Sequence, residues 1–305
     1  MTLAAKAKLW FLETRPHFLL LVPASVATGA AAAFYDLGKL HLLHLGLALA
    51  GALLTHISVN VLNDYFDFQS GLDLQTRRTP FNGGSGLLPS GQLRPPRVYL
   101  FGMACLLALI PIGLYFFIEY GWGIVPLGLA GMILVYFYTN HITRQPWLCL
   151  VAPGLGFGPL MVLGTYFAQT GSFSWTAVSA SLVPGFLVSN LLLLNEFPDV
   201  EADRTAHRRH LPITIGRQRS AVIYAGLLLA TYACLALSVG LGILPLPALM
   251  GLTTLPLGLI TARSVLRSPD ENEGLIPSLG HNVQITLATP AFMSLGIFLG
   301  RALSL

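Results

Sequence analysis

The chain has 305 residues, of which 54% are hydrophobic and only 10% are charged. Soluble domains carry about 25% charged residues, so this composition excludes a chain whose surface is mainly exposed to water. The formal net charge is +4, and the distribution of basic residues described below accounts for it without a nucleic-acid partner.

Long apolar runs predict nine transmembrane helices, because a helix needs about 20 apolar residues to cross a bilayer. The predicted spans are residues 18–36, 42–63, 98–118, 122–140, 148–168, 176–196, 219–240, 243–263 and 282–301. The first run is long, and no small-residue cleavage site followed by a soluble domain is visible, so we expect no cleavable signal peptide. The predicted fold class is all-α and integral to the membrane.

The basic residues provide an independent test of this topology. With nine spans and a cytoplasmic N-terminus, 15 of the 17 Lys and Arg residues fall on the inner side, and only Lys39 and Arg301 fall on the outer side. Cytoplasmic loops of membrane proteins carry such an excess of Lys and Arg, and miscounting one early span would scramble the pattern. We therefore predict an N-in, C-out topology.

The three cysteines, Cys105, Cys149 and Cys234, all fall inside predicted spans. They form no CxxC pair and indicate neither a disulfide nor a zinc site. We interpret them as small, weakly polar packing residues.

Two predicted inner loops, residues 64–97 and 197–218, are long and rich in charge, glycine and proline, and long connections are often functional. Seven of the 13 acidic residues lie in or beside them: Asp64, Asp67, Asp73, Glu196, Asp199, Glu201 and Asp203. The loops follow spans 2 and 6, so they lie four spans apart, and in each the order is Asn, an Asp cluster and then Arg residues. This spacing predicts a weak repeat of four-helix units, 18–140 and 148–263, followed by a ninth helix. We expect all of it to form a single domain over residues 1–305.

The first acidic segment places amide and carboxylate side chains at helical spacing. Asn60 lies four residues before Asp64, and Asn63 lies four residues before Asp67, so each pair shares a helix face. Asp73 follows in the loop. Such oxygens suit Mg²⁺, which commonly links one or two carboxylates to substrate phosphates. The alternative is a helix end whose charges are solvated among lipid headgroups.

Farther into the same segment, Arg77 and Arg78 precede the glycine-rich stretch 82–86. Arginine forms a fork that matches phosphate oxygens, and glycine lets backbone N–H groups approach an anion closely. No Lys followed by Ser or Thr comes after the glycines, so this is not a P-loop. The two arginines are candidate phosphate contacts, and the alternative is the general inner-side excess of positive charge.

The second acidic segment repeats the pattern at the predicted end of span 6. Asn195, Asp199 and Asp203 are spaced by four residues, which on one helix gives a single polar face about 12 Å long. Pro198 is expected to kink that helix. Arg208 and Arg209 follow.

Two acidic clusters on one side of the membrane can close around one ligand. A diphosphate needs compensation for several negative charges, which Mg²⁺ ions held by opposed carboxylates, together with arginine, would supply as the C–O bond breaks. The alternative is an ion-pair network that only ties the two loops together.

The motifs resemble those of the UbiA superfamily of intramembrane prenyltransferases. Asn63, Asp64 and Asp67 match the first family motif, NDxxDxxxD, and Asp199 and Asp203 match the second, DxxxD. The resemblance implies nine helices, with both motifs on the cytoplasmic side, around Mg²⁺ and a polyprenyl diphosphate, whose tail lies in a tunnel open to lipid. Gly71 stands where the last Asp of the first motif is expected, and Asp73 is its candidate substitute.

Within the superfamily, the stretches NDYFDFQSGLD, RTPFNGGSGLLPSG and NEFPDVEAD resemble 1,4-dihydroxy-2-naphthoate polyprenyltransferases of menaquinone synthesis. On this basis Asn63, Asp67, Asp199 and Asp203 are the expected metal ligands, assisted by Asp64 and Asn195. The expected acceptor is aromatic. Alternatives are 4-hydroxybenzoate, homogentisate, haem or a lipid glycerol, or a transporter in place of an enzyme.

Deprotonation of the acceptor hydroxyl is the remaining step without an assigned residue. His56 or a nearby carboxylate is a candidate for it. The alternative is that His56 makes an ordinary hydrogen bond between transmembrane helices.

Overall fold

The computed structural model describes residues 2–74, 83–205 and 208–303, and within these ranges it contains helices and turns but no strand. The prediction of an all-α fold is confirmed. The α-helices, in chain order, are α1 (Leu3–Glu13), α2 (Leu21–Leu37), α3 (Leu42–Ser70), α4 (Pro95–Leu107), α5 (Leu109–Tyr120), α6 (Val125–Phe137), α7 (Pro146–Leu155), α8 (Gly164–Thr170), α9 (Trp175–Asn195), α10 (Val200–Thr205), α11 (Leu211–Thr214), α12 (Arg217–Gly240), α13 (Leu255–Arg267) and α14 (Asn272–Ala302).

The described residues contain eight helical segments that are long and apolar enough to cross a membrane. They are Phe18–Leu37, Leu42–Ser70, Pro95–Phe137, Pro146–Thr170, Trp175–Asn195, Arg217–Gly240, Leu246–Arg267 and Asn272–Ala302. Each overlaps one predicted span except Pro95–Phe137, which overlaps two. The chain is therefore a multi-pass membrane protein.

The segment Pro95–Phe137 explains why the structure has eight apolar helical segments in its described residues, whereas the sequence predicts nine spans. Its 43 residues would measure about 65 Å as a straight helix, roughly twice the hydrocarbon thickness of a bilayer. Gly121 interrupts it with φ +71° and ψ −150°, and α5 and α6 pack against each other and against α3. We therefore keep nine crossings, with the N-terminus inside, as our prediction.

Helix α3 continues seven residues beyond its predicted span, to Ser70, so the first acidic motif is helical. Gly71 ends the helix with φ +77°, a left-handed conformation that glycine adopts without a steric penalty. Asp73 then lies in a short 3₁₀ turn, Leu72–Leu74. The predicted place of Asp73 beyond the helix agrees with the structure.

Helix α9 lies at the centre of the second half and packs against α2, α7, α12 and α14. Its contact with the segment after α7 is close, because a Cβ on Gly158 would lie 2.7 Å from the Cα of Gly185. Small residues allow transmembrane helix backbones to approach in this way. The segment Gly156–Leu163 itself forms a π-helix that contains Pro159.

The second acidic motif differs from our expectation of one kinked helix. Helix α9 ends at Asn195, a turn follows, and α10 begins at Val200. Pro198 lies in this turn, where its missing N–H and fixed φ favour a break in the helix. Asn195 and Asp203 therefore lie on different helices. The predicted four-helix repeat stays a prediction.

Candidate active site

A cavity of about 680 Å³ brings the two acidic segments together. Its polar end is lined by residues of α3, of the Gly83–Gly84 turn, and of the chain from the end of α9 to Arg208. The charged and amide side chains in this lining are Arg15, Asn60, Asn63, Asp67, Asp73, Asn195, Glu196, Asp199, Asp203 and Arg208. One ligand can therefore contact both motifs.

The rest of the cavity is apolar and deep. Its lining follows α3 from Leu47 to Asp67, a distance of about 30 Å along the helix, which equals the hydrocarbon thickness of a bilayer. Ile110, Leu114 and Leu129 line the cavity and are each more than half exposed. Apolar side chains of α5 and α6 therefore line the cavity while remaining accessible.

Arg208 joins the two motifs directly. Its guanidinium donates to Asp67 on α3 and lies 3.3 Å from Oδ1 of Asp203 on α10. Burial alone would lower the pKa of Arg208, but the two carboxylates outweigh this effect and raise it. A fixed positive charge therefore already lies between the carboxylates that the sequence predicts as metal ligands.

Asp64 has a different position from its neighbours in the first motif. It is buried and is not among the residues that line the cavity. Its carboxylate accepts a hydrogen bond of 2.7 Å from the Ser85 N–H and lies 3.6 Å from Arg15. Arg15 in turn donates to Oδ1 of Asn63 over 3.4 Å. Asp64 thus anchors the glycine-rich turn and Arg15 beside α3.

Glu13, at the end of α1, adds a buried acid that the sequence analysis missed. Its carboxylate accepts a 2.7 Å hydrogen bond from the Ser85 hydroxyl. Burial, and then the charge of Asp64, raise the pKa of Glu13 to about 8. Burial and the charges of Asp67 and Asp64 likewise raise the pKa of Asp73 to about 8. The polar end is thus crowded with carboxyl groups that favour a proton or a cation.

Several oxygens in this region fit a bound cation. Among the described residues, one side-chain oxygen each of Glu13, Asp64, Asp73 and Asn195 is buried without a hydrogen-bond partner. Buried polar atoms are rarely left in that state. Of these residues, Asp73 and Asn195 line the cavity. Carboxylate and amide oxygens are the ligands that Mg²⁺ prefers, so the lining offers donors that fit this ion.

The described ranges contain no group of three or more His, Cys, Asp or Glu residues arranged to hold a metal ion by themselves. Mg²⁺ retains several waters and is usually held by one or two carboxylates together with substrate phosphates. Residues of the two motifs would therefore share the coordination with a phosphate ligand.

Behind the second motif lies a chain of buried polar groups. His210 contacts Oδ2 of Asp203 over 2.7 Å and lies 3.8 Å from Glu196. The Cys149 thiol donates to Glu196 over 3.2 Å, so this cysteine does more than pack. Burial raises the pKa of Glu196 to about 7. These contacts fix the side chain of Asp203 from the side opposite Arg208.

The remaining predicted residues are placed as follows. Asn60 lines the cavity and donates to the Thr14 carbonyl over 3.0 Å, which links α3 to the N-terminal segment. Arg209 is exposed, lies outside the cavity lining, and donates its backbone N–H to Thr143. Arg77 and Arg78 lie outside the described residues.

Comparison with known proteins agrees with this geometry. The model of the UbiA prenyltransferase family matches residues 20–276. The chain is 27% identical to a 1,4-dihydroxy-2-naphthoate octaprenyltransferase of Escherichia coli (strain K12), over 97% of each protein. It is 28% identical to the enzyme of the same name from Bacillus subtilis (strain 168), over 73% of this chain and 71% of that protein.

Solved structures share the fold. The chain superimposes with a TM-score of 0.63 on a UbiA homologue from Archaeoglobus fulgidus bound to DMAPP and Mg²⁺, at 13% identity, covering 95% of this chain and 98% of that one. A digeranylgeranylglyceryl phosphate synthase gives a TM-score of 0.63 at 16% identity, with 97% and 99% covered. The cavity with its two acidic motifs, the family match and the shared fold lead to one conclusion: the chain is a prenyltransferase and belongs to the UbiA prenyltransferase family.

Proposed function

We propose that this protein transfers a polyprenyl group from a polyprenyl diphosphate to 1,4-dihydroxy-2-naphthoate, with Mg²⁺ as cofactor, in menaquinone biosynthesis. The observation that carries the proposal is that both acidic motifs line the polar end of one deep apolar cavity. The choice of acceptor is supported by bacterial relatives named as 1,4-dihydroxy-2-naphthoate octaprenyltransferases that align over most of the chain.

The polar end is the proposed diphosphate site. Asn63, Asp67, Asp199 and Asp203 would hold Mg²⁺, which when bound neutralises the diphosphate and stabilises the charge that develops on the leaving oxygen. Arg208 lies between the two motifs, where its guanidinium can turn toward a phosphate oxygen. Arg77, Arg78 and Arg209 stay candidate phosphate contacts.

In the proposed reaction the prenyl tail of the diphosphate lies in the apolar part of the cavity. The bond between the first prenyl carbon and the diphosphate oxygen breaks, and its electron pair leaves with the diphosphate. A ring carbon of the acceptor bonds to the allylic carbon. When this is the carbon that bears the carboxylate, loss of CO₂ returns an electron pair to the ring and restores aromaticity. The apolar walls protect the allylic cation from water.

We place this reaction at the cytoplasmic face of the inner membrane. The support is the position of 15 of the 17 Lys and Arg residues on the side of the acidic motifs when nine spans are counted from an inside N-terminus. A cytoplasmic site would also give both substrates access to the polar end of the cavity.

The test is transfer of labelled prenyl diphosphate by the purified protein to a panel of aromatic acceptors. We expect product with 1,4-dihydroxy-2-naphthoate and none after chelation of Mg²⁺. Asp67→Asn and Asp199→Asn should each lower kcat at least a thousandfold, because both keep the size of the side chain and remove its charge. Glu201→Gln is the matched control, since its side chain is 80% exposed within the same motif.

Three results would contradict the proposal. Near-normal turnover in both aspartate variants, or in the presence of a chelator, would exclude the metal site. If product forms with 4-hydroxybenzoate, homogentisate, haem or a lipid glycerol and not with the naphthoate, the proposed acceptor is wrong. Movement of substrate across proteoliposomes without a covalent product would favour a transporter.

A further inference from the structure

The cavity lining on α3 changes from polar to apolar at His56. From the inner face, the amide and carboxylate side chains Asp67, Asn63 and Asn60 come first, and His56 lies one helical turn below Asn60. It is about 10 Å along the helix from Asn63 and about 16 Å from Asp67. His56 therefore lies at the depth where an acceptor ring would meet the first carbon of a prenyl group whose diphosphate is held by the motifs.

The imidazole of His56 is buried with an uncommitted nitrogen. The residue is 5% exposed, and among the described residues its Nδ1 has no hydrogen-bond partner. The ordinary alternative, a hydrogen bond from this nitrogen to another helix, is therefore not seen in the described part of the chain. A polar side chain inside a membrane protein that pairs with nothing is costly, and this cost points to a ligand.

An aromatic neighbour gives the site a flat wall. The ring of Phe157 meets the imidazole edge to face, with 4.8 Å between centroids and an interplanar angle of 84°. Phe157 also lines the cavity and belongs to the π-helix Gly156–Leu163. Irregular helical turns of this kind occur frequently at functional sites. A planar aromatic ligand can lie against Phe157 while a polar substituent faces His56.

The deeper polar side chains in the described cavity lining are already engaged with the backbone. Thr55 and Thr165 are the polar residues beyond His56, and each donates its hydroxyl to its own helix over 2.8 Å, to Gly51 and Met161. The hydroxyl protons of both threonines are therefore engaged, and His56 is the innermost lining residue in the described ranges that carries a basic ring nitrogen.

We infer that His56 is the contact for a ring hydroxyl of the aromatic acceptor. The hydroxyl forms a hydrogen bond with the imidazole, which lines the cavity, and this contact fixes the ring between Phe157 and the reactive end of the prenyl diphosphate. This inference rests on the proposed function and goes further by assigning the acceptor its own subsite. A site that binds a substrate hydroxyl discriminates strongly against an analogue without it.

The test measures binding of two acids to the full-length protein without prenyl diphosphate and under anaerobic conditions. The acids are 1,4-dihydroxy-2-naphthoate and 2-naphthoate, which has the same ring and carboxylate but lacks the hydroxyls. We expect wild type to bind the dihydroxy acid at least tenfold more tightly. His56→Leu should remove this preference, and His56→Gln, which keeps a hydrogen-bonding side chain, should retain it within about threefold. Thr55→Val is the matched control, and KM for prenyl diphosphate should not change in any variant.

The outcomes separate the two claims. If wild type prenylates the dihydroxy acid but His56→Leu keeps the tenfold preference, the His56 assignment is wrong and the proposed function stands. If wild type binds both acids equally, the assignment is wrong as well. If wild type binds neither acid while still binding prenyl diphosphate, both the assignment and the proposed acceptor are wrong. Should His56→Leu fail to fold, His56→Phe, which keeps a ring without a hydrogen-bonding nitrogen, takes its place: loss of the preference supports the assignment, and a retained tenfold preference overturns it.

Discussion

Replacing Arg208 should destabilise the protein in a way that Mg²⁺ can reverse. The Arg208 side chain is 20% exposed and lies between the side chains of Asp67 and Asp203, which are 11% and 5% exposed. Arg208→Gln leaves the two buried carboxylates facing each other without their shared cation. Removing one partner of a buried ion pair costs about 3–5 kcal/mol, and the partial exposure of Arg208 favours the lower end, about 3 kcal/mol.

The assay is the apparent melting temperature of the purified protein in detergent, with and without Mg²⁺. At about 2 °C per kcal/mol for a chain of this size, we expect Arg208→Gln to melt about 6 °C below wild type without Mg²⁺. Added Mg²⁺ should reduce this difference, because a divalent ion can occupy the position between the carboxylates. Arg204→Gln is the control: Arg204 and Glu201 form an exposed pair at 3.7 Å, which contributes less than about 1 kcal/mol. An equal loss in both variants, or a loss that Mg²⁺ leaves unchanged, would refute the reasoning.

Two further predictions concern the turn beside Asp64. The pKa of Glu13 is raised from 4.5 to about 8, so the folded protein binds this proton more tightly than the unfolded chain, and stability should fall as the pH rises from 4.5 to 8 in metal-free buffer. Glu13→Gln should reduce that decline, measured as melting temperature against pH, and an unchanged slope would contradict the assignment. Gly84→Ala should cost about 1–2 kcal/mol for its left-handed φ of +64°, and its Cβ would also lie 3.1 Å from Asp64 and 3.2 Å from Asp73. Gly91→Ala, with φ +68° and open space around it, has only the backbone cost, so equal prenyltransferase activity in the two variants would exclude the crowding effect.

Much of the fold could be predicted from hydropathy, because a helix that crosses a bilayer must be apolar over most of its length. Hydropathy alone does not give the helix ends where polar residues continue a helix beyond the membrane. Helix α3 extends to Ser70 because its polar turns are stabilised by Arg15 and the Ser85 turn, which are distant in sequence. The break at Pro198 is local, but only the structure decides between a kink and a new helix.

The site shows the same division between local and long-range information. The spacing within each acidic motif indicated which side chains share a face, and the predicted topology indicated that both motifs lie on one side. The spacing did not separate Asp64, which contacts Ser85, from Asp67, which lines the cavity. Glu13 was missed because its role depends on packing between α1 and the turn at Ser85. An acid between the apolar stretch Leu9–Leu12 and Arg15 was nevertheless a visible signal.

The charges around the cavity support the proposed metal. Among the described residues, the lining has five acids, Asp67, Asp73, Glu196, Asp199 and Asp203, against two arginines, Arg15 and Arg208. Even if Asp73 and Glu196, whose pKa values are raised to about 8 and about 7, both hold protons, three carboxylates still face two arginines. A diphosphate brings further negative charge, and in a partly buried site like charges repel more strongly than in water. The charges of the described residues therefore favour binding of a diphosphate together with divalent cations, because Arg208 is already shared between Asp67 and Asp203. Arg77 and Arg78, which lie outside the described residues, are the candidates for further positive charge.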